Sequence, residues 1–433
     1  MSNKKLDKIL GKILALCKEI KLKEPSNDSG FLRSFFTGKV AYLPISGIGI
    51  EWWLTKKALE LCEEIADMAI SYNPSLRAGD TKSFCKIIES VFQDNAINTN
   101  IFSDLFFWRK MNMNTLFEAS ALSDKREFSI KLWNKIYQAL SESLINWLVI
   151  YPLHRVRTKS VAIGFDGISL LESNDGLTWG KLSESYLEAK SWNPLTGKVY
   201  PDDPNVFGSP PETWLVCEVI GNNESARKQA EGKMRTFIAV LFAHLYEKEQ
   251  SLLIRSMADE IKYSIQFPID SKKAKCGCTI APIGVILPPL IKDINLSKEI
   301  IFNIKNWYAL RASALENKAK RAMTASHFIH YAINSDELER FIHFFIALDS
   351  LFGVRNKVET SIKEGIEKTF NNKLWLEKTE NLFNLRSELI HGGVSLIQDW
   401  AGLPHYKKRF KSLPLEDISC AALFAFKNYF TKY

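Results

Sequence analysis

The sequence predicts a mainly α-helical protein with an α+β module in its middle and an all-α helical bundle at its C-terminal end. Three observations carry that expectation. Apolar residues recur at helical spacing through residues 1–150 and again through 297–433. Residues 151–296 instead break into short β-rich runs separated by turn residues. At 433 residues, 46% of them hydrophobic and 24% charged, the chain is folded and too long for a single core.

In the first region, Leu6, Ile9, Leu10, Ile13, Leu14 and Cys17 keep one helical face apolar. Asp7, Lys8 and Lys12 interrupt the run, and no small-residue cleavage site follows, so a signal peptide is not expected. A helix docked on its own domain is expected, with a membrane-surface helix as the competing reading. Trp52, Trp53, Leu54, Ala58, Leu59, Leu61 and Cys62 suggest a second helix. Phe128, Ile130, Leu132, Trp133, Ile136, Tyr137, Leu140 and Leu144 suggest a third. The tryptophans read as core, because large aromatics bury the most area.

The middle module opens with a strand at 161–165 and a tight turn at Asp166-Gly167. Asn174-Asp175-Gly176 is a second turn signal, and the Pro- and Gly-rich stretch 191–211 reads as a loop. A strand follows at 214–220. Asn222 and Ser225 then offer caps for a long helix reaching about 246. Further strands are expected at 263–269 and 279–287. The last region returns to helices at 300–315, 320–333, 337–352, 358–370 and 379–391. Asp336 is placed to cap the third of these. A loop is expected to run to residue 413. A final helix covers 414–430, with Pro414 at its first position and Glu416 and Asp417 where the helix dipole favours acids.

Several function classes find no footing. No apolar run approaches the ~18 residues of a membrane span, and the candidate at 281–291 carries Pro282, Pro288 and Pro289. Seven scattered cysteines make no disulfide framework and fit a reducing cytoplasm. Cys276 and Cys278 lack a second ligand pair at zinc spacing. His327 and His330 sit three apart on one helix without an obvious further ligand, and His343 lies among phenylalanines. Gly180-Lys181 lacks the spacing of a phosphate loop, and no serine-hydrolase signature occurs. No metal and no cofactor are therefore expected. The net charge of +8 is mild and does not by itself indicate nucleic acid.

The strongest chemical signal is Arg386-Ser387-Glu388-Leu389-Ile390-His391 followed by Gly392-Gly393. A fixed cation and a titratable imidazole sit five positions apart at the end of a helix that two glycines stop. On one helix they lie about 140° apart, so a single copy does not aim both at one point. Two copies across a two-fold axis could surround one phosphate with two arginines and two histidines. A structural reading competes: Arg386 could form a salt bridge with Asp349 or Glu388, and His391 could be a simple cap.

The apolar helix ending Ala347-Leu348-Asp349-Ser350-Leu351-Phe352, followed by Leu385-Arg386-Ser387 and the His391-Gly392 ending, resembles the Apea-like branch of the HEPN superfamily. The resemblance covers residues 297–433. It implies a small all-α domain, a homodimer with a composite site, and a metal-independent endoribonuclease. On that resemblance Arg386 and His391 are catalytic, and Ser387, Asp349 and Glu388 support them. Where silenced family toxins carry a tyrosine two residues after the histidine, this chain has Gly393. RNA, tRNA included, is the implied substrate, and a toxin-like antiphage effector the implied role. The earlier regions would then sense a trigger, a phage-encoded or regulatory protein, or restrain the nuclease. An inactive HEPN module that dimerises and binds RNA or protein is the competing function. Lys407, Lys408, Arg409 and Lys411 with Tyr406 form a basic aromatic stretch suited to phosphate contact and base stacking.

Overall fold

Why the chain starts as a helix is visible in what that helix buries. In the computed structural model α1 (Asn3–Glu19) places Ile9, Leu10, Ile13, Leu16 and Cys17 in a core, every one nearly inaccessible to solvent. The structure describes residues 3–23, 32–35, 51–95, 100–102, 113–173, 211–246, 263–268, 279–288, 290 and 292–432. The expected turn at 174–176, most of the expected loop at 191–211, Gly180-Lys181, and Cys276 and Cys278 lie outside the described residues.

Two compact units emerge, one built from residues 1–146 and 220–226, the other from 147–219 and 227–433. Residues on both sides of position 296/297 belong to the second unit. Direct bonds across that position show why. Thr236 and Ser326 hydroxyls meet at 2.9 Å, and Arg235 donates to His327 Nδ1 at 2.8 Å.

The first unit pairs β1 (Ile20–Lys21) and β2 (Leu32–Phe35) with β3 (Glu51–Leu54), all antiparallel. Trp53 and Leu54 therefore belong to a strand, not to the helix their spacing suggests. The helix α2 (Lys56–Tyr72) begins only after Thr55, whose hydroxyl accepts the Ala58 N–H at 3.0 Å. A β-branched cap residue thus separates two patterns that merge in the sequence. α3 (Thr81–Asn95) packs against α2 and α4, and α4 (Lys125–Glu142) against α1. Asp124 caps α4 by accepting the Arg126 N–H at 2.8 Å. Phe84, Ile88, Phe128, Leu132 and Ile136 are fully buried, each burial contributing about 1.5–3 kcal/mol before chain entropy is counted. Trp133 packs edge-on to Tyr72, as expected of a core tryptophan.

The second unit holds a six-stranded sheet in the order β10-β9-β4-β8-β7-β6. Its strands are β4 (Ile145–Leu153), β6 (Val161–Ala162), β7 (Ile168–Glu172), β8 (Thr213–Gly221), β9 (Tyr263–Pro268) and β10 (Thr279–Pro282). β5 (Val156–Arg157) and β11 (Ile294–Asn295) pair separately in parallel. Residues 213–217 of β8 are all buried, the pattern of a strand covered on both faces. The turn between β6 and β7 has positive φ at Asp166 and Gly167, as a mirror-image hairpin turn requires. A side chain at Gly167 would meet Glu218 Cβ at 2.9 Å.

α5 (Asn223–Leu245) follows β8. Asn222 Oδ1 accepts the Ser225 N–H at 2.9 Å while Ser225 Oγ accepts the Asn222 N–H at 3.0 Å, a reciprocal cap. Further along the chain lie α6 (Lys298–Ser313), α7 (Glu316–Asn334), α8 (Glu337–Phe352), α9 (Val358–Phe370), α10 (Lys373–Ile390), α11 (Leu403–Phe410) and α12 (Pro414–Lys432). α7 and α8 form an antiparallel hairpin, and α12 packs against α6, α7, α8 and α9. The protein is thus mostly helical with a sheet in its middle. Among the described residues no helix is long and apolar enough to cross a membrane.

Candidate functional site

α10 carries the motif because its ends are built to start and stop there. Asn372 Oδ1 accepts the Leu374 N–H at 2.9 Å, so the helix begins at Lys373, six residues before the apolar periodicity suggests. At the other end His391 is the cap residue, its N–H bonded to Ser387 O at 3.0 Å. Gly392 takes φ +77°, and the Gly393 N–H returns to Glu388 O at 2.8 Å. The Gly393 bond, which crosses a left-handed glycine back to the third residue before the cap, is the long bond of a Schellman ending. It leaves His391 exposed just where the chain turns.

Arg386 lies half-buried about one and a half turns earlier. Its guanidinium sits 5.7 Å from the centre of the Phe345 ring, a cation–π contact from α8. It makes no ion pair with Asp349 or with Glu388. Glu388 instead accepts the Trp400 indole N–H at 3.1 Å, tying the chain after the motif back to α10. Ser387 is exposed. Asp349 stands one turn beyond Phe345 on the same stripe of α8, exposed to solvent. Its carboxylate folds over Gly353, where a Cβ would overlap Oδ1. The structural salt bridge open to Arg386 is therefore not formed, although Asp349 stands on the neighbouring helix.

The basic stretch turns out otherwise than its loop reading. Residues 403–410 form α11, with Leu403, Tyr406 and Phe410 buried at helical spacing. Tyr406 is 0% exposed, and its hydroxyl donates to Asp417 Oδ2 at 2.7 Å, so its ring offers no face for stacking a base. Arg409 makes two bonds to Glu377, at 2.9 and 2.8 Å. The Arg409 guanidinium holds the Glu377 carboxyl below its ordinary range. Lys407, Lys408 and Lys411 remain exposed, with no ion pair among the described residues.

Two polar arrangements escaped the sequence reading. Lys378, on α10, is buried and donates to Asp417 Oδ1 at 2.6 Å and to Ser412 Oγ at 3.2 Å. Its place among Trp375, Thr379 and Leu382, on a buried helical stripe, was the available signal. Arg321 donates to Leu351 O at 2.9 Å and Gly353 O at 2.7 Å, capping the end of α8 beside Asp349. Nothing in the local sequence marks Arg321 for that task.

His327 and His330 do not converge. His330 is buried with Nε2 2.9 Å from Ile286 O, while His327 Nδ1 accepts from Arg235. Burial pushes the His330 imidazole down to about 4. His343 lies 3.3 Å from Ser335 Oγ and has its pKa lowered by burial. Among the described residues no three His, Cys, Asp or Glu side chains are grouped to hold a metal ion. Compared with protein-family models, curated proteins and solved structures, the chain shows no match.

Proposed function

We propose that the C-terminal helices form a HEPN-type endoribonuclease that acts as a homodimer, with Arg386 and His391 as its reacting groups. The observation that carries this reading is that, among the described residues, neither side chain has a carboxylate partner at a helix end built to present them. An exposed imidazole can take the proton from an RNA 2′-hydroxyl or give one to the leaving 5′-oxygen. The 2′-oxygen then attacks the adjacent phosphorus, and the P–O5′ bond breaks. A guanidinium braced on an aromatic ring is suited to hold the non-bridging oxygens as charge grows on them. The nucleophile belongs to the substrate, so the mechanism requires no metal-bound water. Products carry a 2′,3′-cyclic phosphate and a 5′-hydroxyl, and DNA of the same sequence stays whole. In this reading the protein is a cytoplasmic antiphage effector, and its remaining regions sense a trigger or restrain cleavage.

End-labelled RNA incubated with the full chain in chelator, with and without extract of infected cells, tests the proposal. Fragments with cyclic phosphate ends support it. Intact RNA in both conditions, or equal cutting of DNA, contradicts it.

A second reading has its own observation in Lys407, Lys408 and Lys411, which are exposed and, among the described residues, unpaired by acids. In that reading the domain retains RNA without cutting it. Retention on a filter without fragments would favour it.

A further inference from the structure

The first unit contains a pocket of about 280 Å³ lined from α1, β1, β3, α2 and α3. Its inner wall is apolar: Leu16, Ile20, Leu54 and Phe92 are all buried. Cys62 from α2 and Cys85 from α3 also line it, both as free thiols. Burial pushes Cys62 up to about 12 and Cys85 up to about 11. Near neutral pH they are therefore apolar wall and not nucleophiles.

The pocket's polar groups are arranged by helical repeat. Lys82, Cys85, Lys86, Glu89 and Phe92 form one stripe along α3, running from exposed cations to a buried ring. Lys82 and Lys86 have no ion pair among the described residues. On α2 the exposed Glu63 follows Cys62 and lines the same pocket. An apolar interior rimmed by Lys82, Lys86 and the half-buried Glu89 on α3 and by a second acid, Glu63, on α2 is matched by a molecule bearing a carboxylate, an ammonium and an apolar body. Size agrees. A cavity of about 150 Å³ holds benzene, so this one has room for an aromatic ring and a polar head.

We infer that this pocket binds a free apolar α-amino acid. Its side chain enters between α2 and α3, its carboxylate meets Lys82 and Lys86, and its ammonium meets Glu63. The inference is independent of the nuclease reading, because binding is read at the first unit without RNA.

Calorimetry with the full chain and phenylalanine tests it, with phenylpropionate and phenethylamine as controls that each lack one charged group. Saturable binding of one phenylalanine per chain is expected, with both controls about tenfold or more weaker. Glu63→Gln should weaken phenylalanine and leave phenylpropionate unchanged, whereas Lys82→Gln with Lys86→Gln should weaken both. These surface changes keep the apolar core, and unchanged thermal melting verifies that the variants are folded. Absence of saturable binding, or phenylpropionate binding as tightly as phenylalanine, overturns the assignment.

Discussion

Two cations stand about two turns apart on α10, and the protein uses them in opposite ways. Lys378 is buried and meets Asp417 at 2.6 Å, in a network closed by Tyr406 and Ser412. Arg386 is half-buried, rests on the Phe345 ring, and has no carboxylate partner among the described residues. A charge removed from water must be paired, so the first arrangement is accounted for by folding alone. The second is a half-buried guanidinium on a ring, followed by an exposed imidazole at the helix end. Under the proposed function that hydrogen-bonding capacity is for RNA. Structural charge and available charge thus share a single helix.

The largest effect expected on stability lies at the buried end. Asp417→Ala leaves Lys378 uncompensated and two hydroxyls without their acceptor, and should cost about 3–5 kcal/mol. Urea unfolding checks this, and a loss below about 1 kcal/mol would erase the contrast between the two cations.

Acid supplies the next test, at another buried polar group. His330 has a folded value of about 4, against about 6.5 for a free imidazole, chiefly through burial. Between those values the unfolded chain takes up a proton that the folded chain refuses. Stability is therefore complete above about pH 6.5 and falls by about 3 kcal/mol as the pH drops to about 4. His327 and His343 are lowered in the same direction and add to the slope. Unfolding curves across that range should be flatter for His330→Asn than for the parent chain. An identical slope in both would remove His330 from the account.

Gly392→Ala should cost about 1 kcal/mol. A Cβ there meets nothing within 4 Å, so the cost lies in holding φ +77° and not in crowding. No change in unfolding midpoint would mean that the turn presenting His391 is not held by this glycine.

The smallest stability effect belongs to Lys407→Glu with Lys408→Glu, within about 0.5 kcal/mol. RNA retention should nevertheless weaken, and its salt dependence should become shallower by about one unit of slope for each phosphate no longer neutralised. Unaltered retention would confine RNA binding to residues outside α11.

Helices were legible where apolar spacing was clean, even without a cap. The ranges 337–352 and 358–370 are read directly from the residues and match α8 and α9, although the expected cap Asp336 makes no side-chain cap bond and Lys357 makes none either. The start of α10 was hidden because Asn372 caps it ahead of its apolar stripe. α11 was hidden because Gly402, Pro404 and four cations outweigh the buried triplet Leu403, Tyr406 and Phe410. β4 was missed because a strand buried over most of its length lacks the alternation that marks half-buried strands. At the candidate site, Arg386, His391 and Gly392 were legible as residue types at a helix end. What they touch was not, since the Phe345 ring and the Trp400–Glu388 bond join segments distant in the chain. Tyr406 misled for the same reason: its partner Asp417 looked only like a first-turn acid.

The most direct test of the contrast on α10 measures RNA cleavage and thermal melting on one preparation of His391→Ala. If the exposed end is chemistry and the buried end is structure, melting stays within about 2 °C of the parent chain while cleavage falls by about 10²–10⁴-fold. Cleavage within about twofold of the parent, from protein that melts normally, would contradict the account.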